Sequence, residues 1–262
     1  MNLMKFHSLR KVMSDHSIKG IGDSMTHWAN YISNVRREDI LNEGSIKYGI
    51  SEYLVSSTGL LSNRDNRTSP KIEKINFEYT HPIFSSKRLD LYFQESFTSN
   101  GKSEIQDIYI EFKFMRKNGF TQSDCKLYIY DLLRLASIRR NESDSTRVFF
   151  MLVGYSVQIK KGLNCENSKN NENKRNNTIP KETDKIKKKI GKYLNTETET
   201  TFAVNELEED FNILGSFYKK HKYKNNVKKL NNDDQINLKK VYPTEEGSKN
   251  KIGVYIWEIS VN

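Results

Sequence analysis

The chain has little of what marks a disulfide-stapled, zinc-clustered or membrane-embedded protein. Its 262 residues hold two cysteines, Cys125 and Cys165. That excludes both a disulfide framework and a four-thiolate metal or cluster site, and suits a cytosolic chain. Five histidines are scattered without H-x-x-H or H-E-x-x-H spacing, so a zinc site is not expected. No G-x-S-x-G elbow, P-loop or dinucleotide fingerprint occurs. The longest apolar run, VFFMLVGYSV, is too short to span a bilayer, and the N-terminal stretch lacks an uninterrupted signal-peptide core, so no membrane association is expected. Hydrophobic residues are also scarce, at 35%. The deficit concentrates in one Asn- and Lys-rich run, residues 164–189, which has almost nothing to bury and reads as a polar insertion.

What is abundant is positive charge. A net charge of +10 and a pI near 9.3 point to a polyanionic partner. The densest basic run, KKHKYKNNVKK, contributes Lys219, Lys220, Lys222, Lys224, Lys228 and Lys229 as candidate nucleic-acid contacts, with Phe217, Tyr218 and Tyr223 beside them. The same run also reads as a solvated helix end.

Hydrophobic periodicity predicts an α/β (α+β) chain folded as one domain over 1–262. Helices are expected at about 18–34, 43–57 (stopped by Gly59), 122–141 and 205–220. Strands are expected at 71–84, 87–96, 105–116, 146–159 and 251–261, with 97–104 as the turn between the second and third. The order is αα, βββ, α, β, insertion, α, β. The core spans about 43–158, and a basic helix and closing strand occupy about 205–262.

One strand carries chemistry. In DIYIEFKF, Ile108, Ile110, Phe112 and Phe114 share an apolar face, and Tyr109, Glu111 and Lys113 share the other. In KRLDLYF the same alternation sends Leu89, Leu91 and Phe93 to the core and Asp90 to the Glu111 side. If the two strands pair, two carboxylates and a lysine converge. Hard oxygens with open water positions suit Mg²⁺, and a nearby lysine can orient or deprotonate water, or stabilise charge on phosphate.

This constellation, in this order of elements, resembles the PD-(D/E)XK nuclease superfamily of restriction-endonuclease-like fold, with Leu89 in place of the eponymous proline. The resemblance implies a central mixed sheet flanked by helices and a Mg²⁺-dependent endonuclease, with Mn²⁺ as a substitute. Hydrolysis of DNA by in-line attack would leave 5′-phosphate and 3′-hydroxyl ends in a bacterial or phage defence role. It implies that Asp90, Glu111 and the Phe112 carbonyl bind the metal and that Lys113 assists the water. It further implies an acidic residue on the preceding helix, where Glu43 is favoured and Glu52 is the alternative; Glu43 also complements the helix dipole. On the helix after the lysine, Asp131 and Arg134 are spaced as an i,i+3 pair, read either as a surface ion pair or as a positioning group. A junction resolvase, an exonuclease, a transposon-linked nuclease and an inactive binding module are the alternatives. Double-strand cutting calls for two active sites, hence a homodimer.

Overall fold

The computed structural model describes residues 3–62, 71–85, 87–99, 102–115, 122–159, 189–194, 199–211, 213–220, 223–224, 227–242 and 251–262. Strand β4 (Arg147–Tyr155) anchors the architecture. Its first eight residues are buried, and the apolar run from Val148 to Val153 suits a strand covered on both faces. Around it run β1 (Lys71–Thr80), β2 (Arg88–Ser99), β3 (Lys102–Met115), β5 (Glu199–Ala203), β6 (Gln235–Tyr242) and β7 (Ile252–Val261). They form one seven-stranded sheet in the order β1-β2-β3-β4-β7-β6-β5. Only β3 and β4 are parallel, and their crossover is helix α3 (Gln122–Asn141). At Gly154, opposite Met115, a Cβ would stand 2.7 Å from the Met115 carbonyl, so this pairing depends on glycine.

Helices α1 (Leu3–Asn34) and α2 (Glu43–Ser62) cover one face, joined through a single 3₁₀ turn at Glu38–Ile40. There Ile18, Ile21, Met25, Ile46, Ile50 and Leu54 bury against Leu91, Phe93, Ile110, Phe112, Phe149 and Met151. Each such side chain contributes about 1.5–3 kcal/mol. Helix α3 covers the other face over Phe150, Leu152 and Trp257, beside a ladder of Tyr79, Tyr92 and Tyr109 with centroids 4.4 and 5.0 Å apart. Short helices α4 (Val204–Phe211) and α5 (Ile213–Lys220) extend this layer.

The architecture is therefore the expected mixed sheet between helices, with differences at the boundaries. Helix α1 begins near Leu3 rather than Ile18, and α2 runs through Gly59, because a glycine costs a helix interior about 1 kcal/mol without forcing a stop. Ser99 pairs with Lys102, so the strands of the β2–β3 hairpin extend almost to Asn100–Gly101, and most of the anticipated turn is strand. Strand β1 ends at Thr80 rather than residue 84. Strand β4 ends at Tyr155, and residues 156–159 are helical. Two strands were not anticipated: β5 is short and polar at a sheet edge, and β6 carries Lys239 and Lys240 within its alternation. The single helix expected at 205–220 is two. Of the basic run, only Lys219 and Lys220 are helical; Lys224, Lys228 and Lys229 lie in an irregular segment, and Lys222 is outside the described residues. The polar insertion also lies outside them except for Lys189, whose ammonium donates to the Glu206 carbonyl.

Among the described residues no helix is long and apolar enough to cross a membrane.

Candidate active site

The β2–β3 ladder runs down to Leu91 opposite Ile110 and then parts. One step further, Asp90 and Glu111 stand level on neighbouring strands. The Phe112 N–H, which would otherwise meet Leu89, donates to Asp90 Oδ2 at 2.8 Å. In a strand, the N–H and C=O of one residue point the same way, so the Phe112 carbonyl faces the Asp90 edge too. Alternation in β2 breaks at the same place: Leu89 joins the α3-side core with Ile83 and Phe84, not the core of Leu91 and Phe93.

Sequence alternation placed Glu111 on a polar face, and that face is covered by α3. Glu111 is only 4% exposed. Asp131 and Arg134, one turn apart on α3, are likewise buried, which corrects their reading as a surface ion pair. Arg134 Nη2 lies 2.5 Å from Glu111 Oε1 and 3.0 Å from Asp131 Oδ1. Lys113 Nζ lies 3.1 Å from Glu111 Oε1, 3.2 Å from Asp131 Oδ2 and 3.8 Å from Glu43 Oε1. Glu43 gets there because Asn42 caps α2, its side-chain oxygen accepting from the Ser45 N–H at 3.0 Å, which sets Glu43 in the first turn. Glu52, further along the same helix, is exposed and makes none of these contacts.

Two residues that sequence reading missed complete the cluster. Lys47 Nζ lies 3.0 Å from Asp90 Oδ1 and also contacts Glu78 of β1. Lys47 was discoverable in principle, since it sits at i+4 from Glu43. Glu78 was not, because its position depends on the β1–β2 register.

Five carboxylates (Glu43, Glu78, Asp90, Glu111, Asp131) thus share ion pairs with three cations (Lys47, Lys113, Arg134), leaving two negative charges in excess. The excess shows in the titration of the groups. Burial, then the negative charge of Asp131 and Asp90, drives the Glu111 carboxyl well above the carboxylate range, against the pull of Arg134 and Lys113. Burial alone would lower the Lys113 ammonium, but Asp131, Glu111, Glu43 and Asp90 outweigh it and hold the group raised.

Glu43, Glu111, Lys113, Asp131 and Arg134 line a cleft of about 250 Å³, with Lys87, Asp124 and Lys220 also on its lining and Tyr130 on the α3 wall; Asp90, Lys47 and Glu78 lie outside that lining. Lys220 therefore reaches the site, its ammonium 5.0 Å from the Tyr130 ring centroid. Lys219, Lys224, Lys228 and Lys229 are exposed and do not line this cleft; the Lys229 ammonium lies over Tyr218 instead.

A divalent cation suits this donor set. Glu111 Oε2 is a buried hard oxygen with no hydrogen-bond partner among the described residues. Among the described residues no three His, Cys, Asp or Glu side chains are grouped as ready-made ligands. Mg²⁺ is commonly held by one or two carboxylates plus waters and phosphate oxygens, and so does not need such a cage. No protein-family model, no curated protein and no solved structure matches this chain.

Proposed function

We propose that the chain is a Mg²⁺-dependent nuclease of restriction-endonuclease-like fold that hydrolyses DNA phosphodiester bonds. The observation that carries this reading is that Glu111 and Lys113, in contact with each other, line a cleft shared with Lys87, Arg134 and Lys220, while Asp90 stands level with Glu111 one strand over and accepts from the Phe112 N–H. The order α2, β1, β2, β3, α3, β4, with β3 and β4 parallel, supports the fold.

In this reading Asp90, Glu111 and the Phe112 carbonyl hold the metal, with Mn²⁺ able to replace Mg²⁺. Its contribution is to polarise a phosphate oxygen and lower the pKa of water. Lys113, clasped by three carboxylates, is an ammonium rather than a free amine. Its role is accordingly to orient the attacking water and to stabilise charge building on the phosphate, not to take the proton. Asp131 and Glu43 aim that ammonium, and Arg134 neutralises Glu111 and Asp131 from beneath. Lys220 and Lys87 meet the phosphates on either side of the scissile one. Water attacks phosphorus in line and gives up a proton to solvent, the P–O3′ bond breaks, and the departing 3′ oxygen takes a proton back from solvent water. Cutting both strands of a duplex would pair two such sites in a homodimer.

The test is incubation of the chain with supercoiled plasmid, linear duplex, branched DNA, single-stranded DNA and RNA, with Mg²⁺ or with EDTA. Nicked or linear plasmid with Mg²⁺ alone is the expected result. Degradation only from linear ends would make the enzyme an exonuclease, and preference for branched DNA a resolvase. Binding without cleavage of any substrate would leave an inactive binding module. Cleavage confined to RNA would replace the substrate class.

A further inference from the structure

Lys47 meets Asp90 outside the residues that line the cleft, and Asp90 is itself not among them. Its ammonium is shared between Asp90 Oδ1, at 3.0 Å, and Glu78. Phe77 pairs with Leu91 and Tyr79 with Leu89, so Glu78 stands level with Asp90 one strand over. Glu78 has φ of 55°, a left-handed conformation rare for a residue other than glycine within a strand, and it holds a carboxylate beside the lysine. Asp90 has a separate tether in the Phe112 N–H, so its position does not depend on Lys47.

We propose that Lys47 is a resident counter-ion of Asp90, a positioning residue that moves toward Glu78 when a divalent cation binds at Asp90 and Glu111, and that this exchange sets the metal affinity. The proposal rests on the metal reading above. An ammonium and a divalent cation compete for one carboxylate by charge alone. The lysine needs no route to bulk water, because its second acceptor is already in contact. Glu78 is therefore the residue that lowers the cost of letting go of Asp90.

The two partners of Lys47 predict shifts of opposite sign. Mn²⁺ is titrated into the full chain without nucleic acid, and free Mn²⁺ is read by electron paramagnetic resonance. Lys47→Gln should tighten Mn²⁺ binding by about fivefold or more, since the competing ammonium, 3.0 Å from Asp90 Oδ1, is lost. Glu78→Gln should weaken it, because the lysine is then left to Asp90 alone. Lys47→Arg, which keeps the charge, should stay near wild type. In the Lys47→Gln background most of the Glu78→Gln effect should vanish, because Glu78 acts through the lysine. Weaker binding in Lys47→Gln would make the lysine a mere orienting group and overturn the proposal. An undiminished Glu78→Gln effect without the lysine would overturn it as well. Mn²⁺ binding that Asp90→Asn abolishes but Lys47→Gln leaves unchanged would sink the lysine's role alone. Absence of Mn²⁺ binding by the wild-type chain would remove the metal reading, and this proposal with it.

Discussion

Two glutamates are buried in the first half of the sheet, and their surroundings differ. Glu111 on β3, beneath α3, has Arg134 and Lys113 on one oxygen, Asp90 level with it and a cleft above it. Glu95 on β2 faces α1 and is 1% exposed. It accepts a hydrogen bond from Ser17, and the nearest cation acting on it, Arg147, is committed to both oxygens of Glu258, at 2.7 and 2.8 Å. Glu95 pairs in register with Gln106, and each has an Oε1 that is buried without a hydrogen-bond partner among the described residues. Burial raises the carboxyl of both glutamates, so a displaced titration does not by itself mark a site. What separates them is the company of fixed cations, further carboxylates and an opening.

The largest effect should come from the Glu111 side. Glu111→Gln or Asp90→Asn should lower DNA cleavage in Mg²⁺ by at least about 10²-fold, the scale of losing a positioned charge at the reacting centre. Glu95→Gln should leave cleavage at the wild-type rate. Equal losses from Glu95→Gln and Glu111→Gln in the same plasmid assay would erase the distinction. Lys113→Ala should follow, with a drop of roughly 10²-fold. Mn²⁺ binding should be retained in that variant, and its loss would make the lysine a support of the metal ligands instead.

Stability should report on Glu95 even where cleavage does not. Burial first raises the Glu95 carboxyl to about 7, from its ordinary value of 4.5. A raised acid binds its proton more tightly in the folded state, so stability should decline as pH rises through the interval from about 4.5 to about 7 and then level off. Glu95→Gln should remove that decline and stabilise the chain at pH 8 by up to about 3 kcal/mol, with little change at pH 4.5. Urea unfolding at the two pH values measures it; a destabilised variant at pH 8 would mean that Glu95 is buried as a satisfied anion.

The smallest change concerns the basic run. With Ca²⁺ in place of Mg²⁺, Lys220→Gln should flatten the dependence of log K on log salt for duplex DNA by up to about 0.9, one phosphate contact. Lys228→Gln and Lys229→Gln should change it less, since these side chains lie away from the cleft. Equal slopes for all three would spread the phosphate track along the whole run.

Much of this was legible in the sequence where period and polarity agree. Alternation in DIYIEFKF and the apolar density of β4 identified their strands, and the spacing of Asp131 and Arg134 put both on one face of α3. Three things were not legible. Glu78 meets Lys47 through strand register and its own left-handed conformation, neither of which leaves a mark in composition. The burial of Glu111 depends on α3 covering a face that alternation alone called polar. The separation of Lys220 from Lys228 and Lys229 follows from where α5 ends, and a run of like charges cannot show that.

The strand order has a consequence for synthesis. β4 gains its second neighbour only from β7, the last of the described strands. Until the ribosome releases Ile252–Val261, the most apolar strand of the protein presents an open edge of unpaired backbone groups, the kind of surface that templates aggregation. Every ion-paired residue of the candidate site lies between Glu43 and Arg134 and emerges well before that edge is closed. Chains halted ahead of β7 would thus carry the whole charged cluster beside an unpaired edge of β4.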